Sequence, residues 1–157
     1  GGFTALSYAV KEGNKVAVKE LLTQSIDIDT ELKTKDQGKT VFMLACENND
    51  LEMAKTLLDA GADINARDNL GTTVLWDAVE DKELMQFLLA NGADASIRDK
   101  NKGDVLEFAI RVGASREIKN MLCEALKQGV VSKGFTEATT GGSKHNKSCG
   151  LQFNHEK

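Results

Sequence analysis

The chain has 157 residues, of which 41% are hydrophobic and 28% charged, a composition typical of one folded domain and too apolar for a chain disordered throughout. We expect no membrane partner, because no stretch approaches the ~20 uninterrupted apolar residues that a membrane-spanning helix requires. The formal net charge is −4, and the acidic excess lies within residues 1–126. We expect no nucleic-acid partner either, because Lys and Arg must neutralise the phosphates in such complexes.

Four segments of the chain repeat one pattern. In the first three, a Gly-x-Thr step precedes an alanine five residues later, and the fourth is a looser copy with Asp104 in place of the threonine. Each segment is followed by a second apolar stretch that ends in a pair of large apolar residues: Leu21-Leu22, Leu57-Leu58, Leu88-Leu89 and Met121-Leu122. The alanines recur every ~33 residues, which predicts a two-helix unit repeated four times.

The polar residues at the ends of these stretches fit helix boundaries. The threonines of the Gly-x-Thr steps, and Asp104 with Glu107 three residues on, are suited to cap the first helix of each unit. Glycine or asparagine tolerates the left-handed conformation in which many helices end. We therefore expect the first helices to end at Gly13, Asn49 and Gly113, and the second helices to end at Gly61 and Gly92.

These segments resemble the ankyrin-repeat family over residues 2–128. The resemblance is clearest at residues 57–67, LLDAGADINAR, and again at residues 88–94, LLANGAD. It implies an all-α solenoid of stacked helix-turn-helix units with short β-hairpin-like fingers between them. The repeats are placed at about 1–34, 35–67, 68–98 and 99–128, the first of them truncated.

The chain departs from the family pattern in several places. It contains no proline, and Ser7, Met43, Trp76 and Glu107 replace the histidine that family members use between repeats, so we expect modest stability. The third repeat is two residues short, which predicts a tightened turn near residues 80–82. Extra residues between Leu22 and Gly38 lengthen the first finger.

The two ends of the array are predicted to differ. Residues 115–128 form an amphipathic closing helix that ends at Gly129, so the folded domain covers residues 1–131 and a flexible polar tail covers residues 132–157. The first repeat lacks the finger that should precede Gly2, and we expect that upstream sequence is missing. Because no charged-then-apolar leader opens the chain, an intracellular, cytoplasmic location is expected.

The residues give little support to an enzyme or to a metal site. Both histidines lie in the predicted tail, so no Ser-His or Cys-His pair is available in residues 1–126. The acidic group near Asp77 and Glu80 is interpreted as a solvated patch rather than as a catalytic pair. His145, Cys149 and His155 match no known metal-ligand spacing. We expect no catalytic residue, no metal and no cofactor.

The family resemblance implies protein binding through the fingertips and the exposed sides of the first helices. Carried onto this chain, the fingertip residues are Lys35, Asp36, Gln37, Lys39, Arg67, Asn69, Leu70, Thr72, Arg98, Lys100 and Asn101. The helix residues are Glu47, Asn48, Glu80, Asp81 and Arg111. Basic fingertips beside acidic helices predict a monomer whose protein partner carries both signs of charge. Reversal of Lys39, Arg67 and Arg98 to Glu is expected to weaken binding without lowering the melting temperature.

Several alternatives stay open from the sequence. Trp76 fills the core between repeats or projects as a contact residue, and Leu70 is a contact residue or a scattered exposed apolar side chain. Asn65 is a turn residue that bonds nearby backbone or a target of asparaginyl hydroxylases, which modify similar ankyrin asparagines. The chain as a whole is a binding module, a docking or adaptor fragment of a larger enzyme or effector, or an architectural spacer in a longer solenoid.

Overall fold

The computed structural model describes residues 4–28 and 38–132, and these residues form eight α-helices in four consecutive pairs. The pairs are α1 (Ala5–Lys11) with α2 (Lys15–Leu22), α3 (Val41–Glu47) with α4 (Leu51–Asp59), α5 (Val74–Asp77) with α6 (Lys82–Ala90), and α7 (Val105–Arg111) with α8 (Arg116–Ser132). Residues 29–37, which include the lengthened first finger, and the predicted tail from residue 133 onwards lie outside the described residues.

The predicted caps of the first helices are confirmed. The side chains of Thr4, Thr40 and Thr73 accept hydrogen bonds from the backbone N–H groups of Ser7, Met43 and Leu75 at 3.2, 3.3 and 3.4 Å. Asp104 takes the same role in α7, with its Oδ1 2.9 Å from the Glu107 nitrogen. Such a cap satisfies an N–H group that has no partner inside the helix, which is why an oxygen-bearing side chain starts each unit.

The helix exits also follow the prediction. Gly13, Asn49 and Gly113 end the first helices of repeats 1, 2 and 4 with φ of 67°, 53° and 75°. Gly61 and Gly92 end the second helices of repeats 2 and 3 with φ of 98° and 93°. Left-handed backbone of this kind turns the chain sharply, so that the two helices of a pair pack against each other.

The third repeat is shortened in its first helix as well as in the turn. Helix α5 has four residues, whereas α1, α3 and α7 have seven each. Its hydrogen bonds include i+3 bonds, from the Trp76 nitrogen to the Thr73 oxygen and from the Ala78 nitrogen to the Leu75 oxygen. Helix α6 begins at Lys82, so the tight turn lies where the two-residue deletion predicted it.

The helix pairs stack into an all-α solenoid, as predicted. The first helices contact one another in sequence, α1 with α3, α3 with α5 and α5 with α7. One continuous core runs through the stack, and its equivalent leucines Leu57, Leu88 and Leu122 are each 0% exposed. Burial of one such leucine stabilises the fold by roughly 1.5–3 kcal/mol. No single pair could bury these side chains alone, so the repeats depend on their neighbours.

The closing helix is longer than the prediction. Helix α8 runs from Arg116 to Ser132 and therefore passes through Gly129, so the expectation that it ends at Gly129 is wrong. Ile118 and Leu122 face the core as expected, at 2% and 0% exposure. Glycine inside a helix costs only about 1 kcal/mol relative to alanine, which the flanking turns of the helix can offset.

Candidate functional site

An aspartate closes each of the two described fingertips, residues 67–72 (fingertip 2) and residues 98–103 (fingertip 3). In fingertip 2, Asp68 Oδ1 accepts hydrogen bonds from the nitrogens of Leu70 and Thr72, both at 2.9 Å. In fingertip 3, Asp99 Oδ1 accepts from the nitrogens of Asn101 and Gly103 at 2.8 and 3.0 Å. These are Asx turns, in which a side-chain oxygen replaces a backbone acceptor and fixes the loop.

Hydrogen bonds to backbone join the two fingertips to each other. The Arg67 guanidinium donates from Nε to the Gly71 oxygen at 3.1 Å and from Nη2 to the Arg98 oxygen at 2.6 Å. The Lys100 nitrogen donates to the Leu70 oxygen at 2.9 Å. We call fingertips 2 and 3 together the paired fingertips, because these bonds make them one structural unit.

Glycine is required at Gly71, inside this unit. Its φ is +80°, and a Cβ atom there would lie 2.9 Å from Arg67 Nη2 and 3.0 Å from the Lys100 nitrogen. The absence of a side chain therefore allows the two fingertips to approach closely.

Asn65 adds a further link below the fingertips. Its Oδ1 accepts a hydrogen bond from the Asp94 nitrogen at 2.8 Å, and its Nδ2 donates to the Gly92 oxygen at 3.3 Å. The structure therefore gives Asn65 a backbone-bonding role, although the bonded backbone belongs to the next repeat and not to nearby residues. No observation bears on the hydroxylase hypothesis.

Leu70 lies at the tip of this rigid unit with 51% of its surface exposed. Its backbone is bonded on both sides, by the nitrogen to Asp68 and by the oxygen to Lys100. Trp76 behaves oppositely: it is 9% exposed and belongs to the core, so its packing interpretation is confirmed. Of these two apolar candidates, only Leu70 is available to a partner.

Charged side chains from the second and third repeats meet beside fingertip 2. Lys39 forms an ion pair with Glu47, and only 16% of the Lys39 side chain is exposed. Burial lowers the pKa of Lys39, but the hydrogen bond from Glu47 and the charges of Asp77, Glu47 and Asp68 raise it to above its ordinary value overall. These charges place α3, α5 and fingertip 2 on one common face.

Asp77 has the most perturbed carboxyl group on this face. Neighbouring atoms exclude part of its water, which raises its pKa to about 6, and the charges of Glu47 and Asp68 act in the same direction. Lys39 lowers it in part. Asp77 was considered in the sequence only as part of a solvated acidic patch, and the spacing of residues gave no signal of this shift.

The structure separates the predicted contact residues into two groups. Some are exposed and carry side chains that point away from the core: Glu47, Asn48, Asn69, Leu70, Glu80, Lys100, Asn101 and Arg111. Others serve the fold itself: Lys39 in its ion pair, Arg67 and Arg98 on fingertip carbonyls, Thr72 on Asp68, and Asp81 as the cap of α6. Lys35, Asp36 and Gln37 lie outside the described residues.

These contacts conflict with one expectation from the sequence. Reversal of Lys39, Arg67 and Arg98 was expected to leave the melting temperature unchanged, yet Arg67 bonds two carbonyl oxygens of the paired fingertips. Sequence reasoning also missed Asp68 and Asp99, which close the tips. Their recurrence in Asp-x4 spacing before Thr73 and Asp104 was a signal that could have found them.

The described residues offer little for metal chemistry or for membrane insertion. Within residues 4–28 and 38–132, no group of three or more His, Cys, Asp and Glu residues could hold a metal ion. The candidate ligands His145, Cys149 and His155 lie outside that part of the chain. None of the helices found in it combines the length and apolar character needed to cross a membrane.

Comparison with known proteins agrees with this architecture. A family profile described as Ankyrin repeats (3 copies) matches residues 1–68. The crystal structure of the ankyrin repeat domain of Bcl-3 superposes with a TM-score of 0.69 at 32% identity, covering 77% of this chain and 51% of that one. The chain belongs to the ankyrin-repeat family.

Curated ankyrin-repeat relatives are longer than this chain. The probable 26S proteasome regulatory subunit p28 of Saccharomyces cerevisiae is 36% identical over 114 residues, which are 70% of this chain and 50% of that protein. The BRCA1-associated RING domain protein 1 of Caenorhabditis elegans is 35% identical over 115 residues, 66% of this chain and 16% of that protein. This ankyrin-repeat chain thus spans half or less of the length of these relatives.

Proposed function

We propose that this chain is a non-catalytic protein-binding module that holds its partner on the concave face formed by the paired fingertips and the first helices. Ankyrin repeats are generally protein-interaction modules, which supports the class of function. The observation that carries the specific face is Leu70, an exposed apolar side chain on a backbone that is bonded on both sides.

Rigidity makes Leu70 a better contact than a scattered apolar residue. Binding must order any mobile group that enters an interface, and each immobilised side chain or loop reduces the affinity. In the paired fingertips, Asp68, Arg67 and the Lys100 nitrogen already order the backbone around Leu70. An apolar pocket on the partner can therefore bury Leu70 at little entropic cost.

The charges around Leu70 define the rest of the partner surface. Glu47 and Glu80 are exposed on the first helices, whereas Lys100 is exposed on fingertip 3. We infer a partner with an apolar contact for Leu70, basic groups towards the helices and an acidic group towards Lys100. Such complementarity sets the orientation and the association rate more than the affinity.

The proposal is tested with the full chain as bait and two matched variants. Leu70→Glu places a charge at the fingertip, whereas Val16→Glu places the same charge on α2 at a 79% exposed position. Val16 is a suitable control because Glu52, Glu83 and Glu117 occupy the equivalent position in the other three repeats. Each bait is incubated with lysate of the source cells, and captured proteins are quantified by mass spectrometry.

We expect a protein that is captured by the unchanged chain and by Val16→Glu, and is lost with Leu70→Glu. Circular dichroism melting of both variants checks that neither change unfolds the repeats. If Leu70→Glu retains all captured proteins, the fingertip face is not the binding surface.

A second candidate is that the module docks substrates within a larger enzyme or effector. The relative with a RING domain in its name favours this possibility, because the matched repeats form 16% of that protein. We place the chain in an intracellular, cytoplasmic setting and treat it as a monomer in either case, and sedimentation velocity of the purified chain checks the monomer.

A further inference from the structure

A second surface, remote in sequence from the paired fingertips, exposes apolar side chains. Helices α1 and α2 form a shallow groove of about 540 Å³ on the side that faces away from α3. Tyr8 in this groove is 61% exposed, and Ala5 is exposed as well. Ala17 and Leu21 are half-buried and complete the apolar lining.

The other repeats show what normally covers this side of a helix pair. The position of Ala5 corresponds to Val41, Val74 and Val105, which are 2%, 1% and 0% exposed. The position of Leu21 corresponds to Leu57, Leu88 and Leu122, each 0% exposed, and that of Ala17 corresponds to Met53, Leu84 and Ile118, at 1%, 2% and 2%. In those three repeats the covering element is the neighbouring helix pair.

The groove is therefore continuous in register with the interfaces between repeats and has the shape that receives a helix. Alanine at positions 5, 9 and 17 leaves space that Val, Met, Leu or Ile fills in the equivalent positions of the other repeats. A helix with large apolar side chains can approach such a floor closely and fill it.

Charge distinguishes between possible occupants. The charged residues that line the groove are Glu12 and Glu20, both acidic. A second copy of the chain, docked by a twofold axis through this groove, would bring four carboxylates together, which is unfavourable. A helix with Lys or Arg along the edge of its apolar stripe would complement both glutamates.

We propose that this groove, which we call the α1–α2 groove, binds an amphipathic helix of a partner protein that carries Lys or Arg beside its apolar stripe. This interface is separate from the fingertip face and does not rest on the function proposed for that face. The chain would then contact two protein segments, one at the fingertips and one at this end of the stack.

The test uses two synthetic helical peptides and the single tyrosine of the chain. One peptide has a Leu/Ala stripe flanked by lysines, and its counterpart has glutamates in place of the lysines. Tyr8 is the only tyrosine in the sequence, so its nitration by tetranitromethane reports on the groove alone. Affinity is measured by isothermal titration calorimetry with the full chain.

The matched variants are Ala17→Glu, inside the groove, and Val16→Glu, on the neighbouring surface of the same helix. Both add one negative charge, so non-specific attraction of the lysine peptide rises equally in the two. We expect the lysine peptide to slow nitration of Tyr8, and to bind Ala17→Glu at least about tenfold more weakly than Val16→Glu. We expect the glutamate peptide to bind at least about tenfold more weakly than the lysine peptide.

Three results would overturn the proposal: equal binding of the lysine peptide to the two variants, no protection of Tyr8 by that peptide, or equal binding of the two peptides. A fourth is concentration-dependent protection of Tyr8 without any peptide, which would assign the groove to a second copy of the chain. Leu70→Glu serves as a further variant, because its peptide binding should be unchanged even if the fingertip face proves inactive.

Discussion

Asp77 carries a carboxyl group that is harder to ionise in the folded chain than in the unfolded one. Its folded pKa is about 6, above the ordinary value of 3.8. Between these two values the folded state binds more protons than the unfolded state, so stability falls as pH rises through that range. Above pH 6 the full penalty of ionising Asp77 is present, and below pH 4 it is absent.

Asp77→Asn should therefore raise the melting temperature at pH 7.5 and leave it nearly unchanged at pH 4. The gain should not exceed about 1 kcal/mol, because the residue is exposed and solvent screens its charge. Thermal unfolding followed by circular dichroism at both pH values measures this difference. Glu80→Gln, at an exposed carboxylate nearby, is the control, and an equal gain in the two variants would contradict the explanation.

Arg67 illustrates a residue whose role changes between sequence and structure. Arg67→Met keeps the aliphatic stem but removes the donors to the Gly71 and Arg98 oxygens. We expect a loss of about 1–3 kcal/mol in the free energy of unfolding, the usual cost of losing hydrogen bonds from a charged group.

The control for Arg67→Met is Lys100→Met, because Lys100 joins the fingertips through its backbone nitrogen and its side chain is exposed. Urea unfolding of both variants, monitored by Trp76 fluorescence, gives the two free energies. Equal values would mean that the guanidinium bonds add no stability.

Residue-scale prediction succeeded where the partner is close in sequence. The caps at Thr4, Thr40 and Thr73 bond within three residues, so the local sequence contains all the necessary information. Arg67 and Arg98 are 31 residues apart, and their contact exists only because two repeats stack in register. The sequence therefore predicted the charge of Arg67 but not what it contacts.

At the scale of elements, α8 shows that glycine does not by itself end a helix. Gly129 lies within α8, and it is not among the described glycines that have positive φ. A side chain can be added there, since a Cβ atom at Gly129 would meet nothing within 4 Å.

Gly129→Ala should raise the free energy of unfolding by roughly 0.5–1 kcal/mol, the difference in helix propensity between the two residues. Gly113→Ala is the comparison, because its φ of +75° makes any side chain strained although space is open. That variant should be destabilised by about 1 kcal/mol. A loss of stability in Gly129→Ala would restore Gly129 as the end of the helix.

Helix α5 could be predicted to exist but not to be so short. The deletion between Ala78 and Leu88 indicated a tight turn, yet the sequence gave no rule for dividing the missing residues between helix and turn. Burial decides the outcome: Val74, Leu75, Ala78 and Val79 stay in the core, so the helix shortens rather than shifting its apolar residues out of register.

At the scale of the whole molecule, the four helix pairs form a linear array, and its order was the most predictable property. A period of ~33 residues and alternating caps are sufficient to predict stacking, because each unit exposes apolar surface that only its neighbour can cover. The paired fingertips and the α1–α2 groove were not predicted, since both depend on how adjacent units meet.

The array should be weakest at its third repeat. Short i+3 bonds and a four-residue helix give α5 fewer helical hydrogen bonds than α3 or α7. Native-state hydrogen exchange should therefore show faster exchange for the backbone amides of α5 than for those of either neighbour. Uniform protection across α3, α5 and α7 would mean that burial fully compensates for the short helix.

The hydrogen bonds that join fingertips 2 and 3 also fix a distance. Arg67 and the Lys100 nitrogen prevent Leu70 and fingertip 3 from separating when a protein binds. A partner must then present its two contact points at the spacing that this chain dictates, and one additional residue of extended backbone between them shifts the second by about 3.3 Å. Insertions in the partner would be discriminated as sharply as substitutions, so the spacing of the partner's motif carries information that its composition does not.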